Sequence, residues 1–171
     1  MKKILLSLFI IVTSIACSQA QKTSFEKEAL NNVMMATDRS EIKFADILAA
    51  NKGKIIVIDV WASWCADCIK NIPKVKVLQE NNKDVVFIFL SMDKTFDKWI
   101  YGVEDQALYG KHYLVSDGMN GVFGKSIDLD WIPRYMIVDQ TGKIALYKSV
   151  QADDNQISET LIKLKKQKTK R

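Results

Sequence analysis

The sequence predicts an α/β fold, a central mixed β-sheet with helices on both faces. Three observations carry that expectation. Two nearly continuous apolar runs, KIIVIDVWA (54–62) and DVVFIFLSMD (84–93), read as strands buried on both sides. Segments with helical spacing lie between and after them. Near the end, RYMIVDQTGKIALYKSV (134–150) reads as two strands around a QTGK turn, followed by an amphipathic helix.

Taken in order, residues 21–35 (QKTSFEKEALNNVMM) read as a linker into a domain spanning 36–168. KFADILAANKG (43–53) places Phe44, Ile47 and Leu48 on one helical face, and Gly53 ends it. After the first strand, CIKNIPKVKVLQENNK (68–83) carries Ile72, Val75 and Leu78 at helical spacing. Pro73 lies inside that pattern and predicts a kink or break. TFDKWIYGVEDQAL (95–108) is expected to be helical, with Gly102 a local weakness. HYLVSD (112–117) is strand-like, and NGVFGKSIDL (120–129) reads as a short helix or turn. The last helix, within 153–168, gathers Ile157, Leu161 and Leu164 on one side.

Bulk composition fits one soluble domain. The chain has 171 residues, 48% of them hydrophobic, which is enough to bury a core without disulfide staples. Seven glycines and two prolines exclude collagen-like and Pro/Gly-rich disordered classes. The net charge of +5 owes much to the tail KLKKQKTKR (163–171). A cationic tail without a basic face of base-reading or stacking residues does not predict nucleic-acid binding. The last residues, 169–171, are read as a basic tail beyond the domain.

The N-terminus reads as a secretory signal, 1–20. Lys2 and Lys3 precede the apolar run ILLSLFIIV (4–12), and small and polar residues follow. That run is too short to span a bilayer as a stable helix. Two cleavage readings stand side by side. Ser18-Gln-Ala20 fits a cut before Gln21, whereas Ser14-Ile-Ala-Cys17 resembles a bacterial lipobox that would make Cys17 a lipidated N-terminus and membrane anchor. The lipidated reading is slightly preferred. Either one places the domain outside the cytoplasm, in a periplasmic compartment where disulfides persist.

The chemistry concentrates in WASWCADC (61–68), which holds two of the three cysteines. A Cys-x-x-Cys at the start of a helix exposes its first sulfur to unpaired amides and partial positive charge, which favours thiolate at Cys65. Cys68, one turn on, can reach back and displace a mixed disulfide. A static staple over a two-residue loop constrains little of the unfolded chain. A zinc site needs about four ligands, and the chain offers a single histidine, His112, and no second cysteine pair. Redox chemistry is therefore the expectation.

At these residues the sequence resembles the thioredoxin family. Asp59 to Cys68 matches the pattern Asp-hydrophobic-Trp-Ala-x-Trp-Cys-x-x-Cys, and WIPRYMIVDQTGKI (131–144) is similar to the second family landmark, an Ile-Pro or Val-Pro segment facing the disulfide. The signal segment and the Val-Asp-x-x-Gly-Lys-Ile ending point to the extracytoplasmic TlpA/ResA-like branch. The resemblance implies a thioredoxin-like fold and a thiol-disulfide oxidoreductase, with Cys65 as nucleophile and Cys68 as resolving thiol. Pro133 would be a cis-proline, and the backbone of Ile132 would pair with an extended substrate. Asp59 falls where a buried acid moves protons for the resolving cysteine, and burial would raise its pKa. Trp61 and Trp64 would pack beside the site.

Two departures bear on direction. Asp67 stands where Pro or His is usual, and its carboxylate disfavours thiolate at Cys65, which lowers the reduction potential. Arg134 stands where Thr is common, and a cation near the thiolate would act oppositely. The expected activity is disulfide reduction on protein or peptide substrates, with no bound organic cofactor or metal and re-reduction by a membrane thiol donor. The alternative is a copper-carrying module of the same fold that uses Cys65, Cys68 and His112. Such modules resemble Cys-x-x-x-Cys, with one more intervening residue than this chain has.

Overall fold

The run IVIDVW is β-branched and apolar apart from one aspartate, and all six residues are buried as strand β3, Ile56–Trp61. Such a strand must have neighbours on both edges and both faces. The computed structural model, which describes residues 21–168, supplies them. Helix α1 (Lys27–Asn31) and strands β1 (Val33–Ala36) and β2 (Glu41–Lys43) precede α2 (Phe44–Ala49) and β3. Then come α3 (Ala66–Glu80), β4 (Val86–Ser91), α4 (Phe96–Gln106), β5 (Lys111–Val115) and α5 (Val122–Ser126). The hairpin β6 (Arg134–Val138) and β7 (Ile144–Ser149) leads into α6 (Asn155–Lys168).

The seven strands form one mixed sheet in the order β2-β1-β5-β4-β3-β6-β7. β3, β4 and β5 are parallel, with α3 and α4 as the crossover helices that parallel pairing requires. The remaining pairs, β1 with β2 and β5, and β6 with β3 and β7, are antiparallel. α3 is tied to the loop between β7 and α6 through a hydrogen bond from Ala152 N to Asn71 Oδ1 and an ion pair of Lys74 with Asp153. Elsewhere, Phe44 of α2 packs edge-on against Phe25 and against Phe123 of α5. The hairpin turn is fixed by Asp139, whose Oδ1 accepts from Thr141 N, Thr141 Oγ1 and Lys143 N. Gly142 supplies the left-handed residue (φ +90°).

Several expectations are revised. Residues 21–35 are not a free linker, because they hold α1 and most of β1. Ala29 and Met34 are fully buried, and Ile144 N donates to Thr23 O. β2 had no counterpart in the sequence reading. Pro73 does not break α3, which runs through it from Ala66 to Glu80. Cys68, Ile72, Val75 and Leu78 are buried along that helix, and their packing outweighs the backbone hydrogen bond that proline cannot make. The expected signal segment 1–20 and the tail 169–171 lie outside the described residues.

Gly102, expected as a weak point of α4, is a place of close approach. A Cβ there would stand 2.5 Å from Ser63 Cβ and 3.4 Å from the Trp61 ring. Glycine to alanine inside a helix normally gains about 1 kcal/mol. Here the methyl would push against the loop before Cys65, and overpacking of this kind costs about 1–3 kcal/mol. Gly102→Ala is expected to lower the urea midpoint. An equal or higher midpoint would show that the loop yields freely.

Candidate active site

β3 ends at Trp61, and the chain turns through Ala62, Ser63 and Trp64 before α3 begins. That turn is clamped from the neighbouring strand. Asp93, buried just beyond β4, accepts from Ser63 N (3.0 Å) and Ser63 Oγ (2.7 Å). The same carboxylate accepts from Ser91 Oγ at 2.6 Å, and Ser91 Oγ in turn accepts from Asp93 N. A buried carboxylate needs such donors to offset its desolvation. Together they fix the height at which the first cysteine leaves the sheet.

Cys65 is the N-cap of α3. Its backbone is extended (φ −84°, ψ 106°), and its sulfur accepts from Cys68 N at 3.1 Å. The amide that would otherwise be unsatisfied at the helix start therefore points at Sγ, and the same amide stabilises a thiolate. Cys65 and Cys68 are joined as a disulfide with Cα atoms 5.2 Å apart. Cys65 is 7% exposed and Cys68 only 2%. Opposite them, the Ile132–Pro133 peptide bond is cis. The Ile132 carbonyl oxygen lies 3.5 Å from Cys65 Sγ, an acceptor for the thiol once the disulfide is reduced.

Cys65, not Cys68, opens onto a groove of about 290 Å³ lined by Trp64, Ala66, Asp67, Met119, Trp131 and Ile132. Trp64 and Trp131 are 58% and 60% exposed, large apolar surfaces lining the same groove as the sulfur. Trp61, expected to pack beside the site, is buried in the same core cluster as the two cysteines and does not line the groove. Asp67 is exposed in the first turn of α3.

Asp59 is buried in mid-strand, and its Oδ1 has no hydrogen-bond partner. Burial pushes its carboxyl up to about 8, only partly opposed by the Tyr135 hydroxyl, which favours the charged form. Tyr135 is its register partner on β6, and burial likewise raises the phenol. Tyr135 also feels the charge of Asp153, which is paired with Lys74 of α3. The Asp59 side chain thus belongs to the face of the sheet covered by α3, whose first turn carries Cys68.

Two expected residues are placed elsewhere. Arg134 is next to Tyr135 on β6 and so points to the other face. Its guanidinium is committed to Asp130 and to the Asp128 carbonyl, with no hydrogen bond or ion pair to either cysteine. His112 stands on β5, in register with Phe89, which is itself in register with Asp59. It is two strands away from β3, about 10 Å by strand spacing. Its ring stacks on Phe89 at 4.9 Å, its Nε2 is bonded to Leu108 O, and burial lowers its pKa. The copper alternative needed His112 beside the cysteines, and the sheet keeps them apart. Among the described residues no group of three or more His, Cys, Asp or Glu side chains is placed to hold a metal ion.

The sequence reading missed three contributors. Trp131 was legible, since it directly precedes the Ile-Pro pair. Asp93 reaches the site through Ser63, 30 positions earlier, and Met119 by lining the groove with Cys65, so neither carries a local signal of it.

A family model described as thioredoxin-like matches residues 53–144. The thiol-disulfide oxidoreductase ResA of Bacillus cereus is 26% identical over 149 residues, 86% of this chain and 82% of the relative. A candidate thiol-disulfide oxidoreductase from Bacteroides vulgatus, solved in solution, is 29% identical with a TM-score of 0.65, covering 78% of this chain and 86% of that one. A candidate thiol:disulfide interchange protein DsbE from Chlorobium tepidum reaches a TM-score of 0.67 over 84% and 96% of the two chains, at 16% identity, which speaks to fold alone.

Proposed function

Because the chain belongs to the thioredoxin-like family, we propose that it is a thiol-disulfide oxidoreductase working outside the cytoplasm in the reducing direction. The observation that carries the chemistry is the Cys65–Cys68 disulfide at the start of α3, with only Cys65 lining the groove and the Ile132 carbonyl against its sulfur. In the reduced protein the Cys65 thiolate attacks one sulfur of a substrate disulfide. A mixed disulfide forms and one substrate thiolate leaves. Asp59 takes the proton of Cys68, whose thiolate then attacks Cys65 Sγ, closing the Cys65–Cys68 disulfide and releasing the second substrate thiolate. Two electrons pass from the dithiol to the substrate, and no organic cofactor takes part.

The substrate is read as an extended protein or peptide segment. Ile132, beside Pro133, offers backbone pairing, and Trp64 bounds the groove. For the direction, Asp67 disfavours thiolate at Cys65 and so favours the disulfide form of the protein, while the opposing cation, Arg134, is neutralised by Asp130. A reductant of this kind needs a thiol donor, and a membrane carrier would reach it outside the cytoplasm. Location rests on the N-terminal sequence, including Cys17 as a lipid anchor. No described helix is long and apolar enough to cross a membrane.

The test is the reduction potential of the Cys65–Cys68 pair, found by equilibration with dithiothreitol and thiol counting. A value at or below about −270 mV is expected of a dedicated reductant. A value between about −120 and −180 mV would reverse the direction and make the protein a disulfide donor or isomerase.

A further inference from the structure

Arg134 has no role in the chemistry above, yet it is 2% exposed and carries a full charge. A buried guanidinium is costly unless it is paired, so the location of its partners is informative. Both lie in one short segment. Nη2 donates to Asp130 Oδ1, and Nη1 donates to the Asp128 carbonyl at 3.4 Å. Asp130 also faces Lys148 Nζ at 3.9 Å. Asp128 adopts a left-handed conformation (φ +47°), and its carboxylate accepts from Tyr147 OH and pairs with Lys22. The backbone of Arg134 is already paired with β3, opposite Val60, so the strand does not depend on this side chain for its register.

What lies between this anchor and Pro133 is Trp131 and Ile132, one wall of the groove and the carbonyl at Cys65 Sγ. We infer that Arg134 is a positioning residue for substrate: its fork holds segment 128–130 so that Trp131 and the Ile132 carbonyl stay aimed at Cys65. The planar guanidinium reaches both acceptors at once, which a lysine ammonium on a flexible stem cannot do in fixed geometry. The inference rests on the proposed reading of the groove as the substrate dock.

The test compares Arg134→Met, Arg134→Lys and Asp130→Ala with the parent protein. Arg134→Met removes the buried charge itself and guards against a variant that fails to fold, since Asp130→Ala leaves the guanidinium with the Asp128 carbonyl as its acceptor. Each is assayed on a peptide disulfide, which needs the groove, and on 2-hydroxyethyl disulfide, which needs little beyond the thiols. The peptide KM is expected to rise about tenfold in Arg134→Met and Asp130→Ala, and less in Arg134→Lys, with peptide kcat and the small-disulfide rate held within about twofold. A second readout uses Trp64→Phe, in which Trp131 is the one exposed tryptophan left, since Trp61 and Trp99 are buried. The fast component of its fluorescence anisotropy decay should grow when Arg134 or Asp130 is replaced. An unchanged peptide KM, an equal loss on both substrates, or an unchanged anisotropy decay would overturn the inference. A parent protein inactive on both disulfides is a different result, since it removes the functional reading and this inference with it.

Discussion

Cys68→Ala is expected to stop turnover after a single attack and to accumulate a covalent adduct with a peptide substrate. The reason lies in the unequal placement of the two sulfurs. Cys65 lines the groove, accepts the Cys68 amide and faces the Ile132 carbonyl, whereas Cys68 is buried beneath the first turn of α3. The first can reach an incoming disulfide. The second can reach only the first. Without the Cys68 sulfur the mixed disulfide has no internal route to resolution and waits for an external thiol. On a non-reducing gel the variant should carry one equivalent of peptide, released by dithiothreitol. Cys65→Ala should carry none. An adduct on Cys65→Ala comparable to that on Cys68→Ala would mean that Cys68 is accessible and would sink the assignment of roles.

The legibility of this site in the sequence follows from how local each part of it is. Cys65 and Cys68 are three positions apart, and the Ile132–Pro133 pair is contiguous, so short motifs expose both halves. The central strands were legible for a similar reason: burial on both faces forces the continuous apolar runs at β3 and β4. Asp59 announced itself as the one charge inside such a run. What escaped notice depends on distant partners. β1 is a four-residue VMMA segment with little strand signature of its own, and it is a strand because β5 and β2 pair with it. Asp93 matters through Ser63, thirty positions earlier. Arg134 follows Pro133 directly in the sequence, but the sequence does not show which way it points. The alternation of a strand sends it to the face opposite Tyr135, where Asp130 claims it. Pro73 misled because local propensity is weaker than the packing of a buried helix face.

Asp59→Asn is expected to slow the resolving step by about 10²- to 10⁴-fold, the usual worth of a positioned general base, while leaving the first attack by Cys65 nearly intact. With the carboxyl pushed up to about 8 by burial, the parent protein holds it protonated at neutral pH and ionises it in mildly alkaline solution. Only the ionised form can take the Cys68 proton. The resolution rate, followed by rapid mixing with a preformed mixed disulfide, should therefore climb as pH passes through about 8. In Asp59→Asn that inflection should vanish, leaving only the ionisation of the Cys68 thiol itself. The same group predicts an opposite effect on stability. Its ordinary value is 3.8, so between about pH 4 and pH 8 the folded protein keeps a proton that the unfolded chain has released. Folding stability must fall as pH rises across that window, and above it the full cost of a buried carboxylate is felt, on the order of a few kcal/mol. Asparagine carries no charge to desolvate. The oxidised variant should therefore be more stable than the parent in urea at pH 8.5, with the difference shrinking toward pH 4. A variant both slower and less stable at pH 8.5 would indicate that Asp59 holds the sheet together through Tyr135. A gain in stability combined with a lost rate inflection would mark a residue kept at a cost to the fold for the sake of the proton it moves.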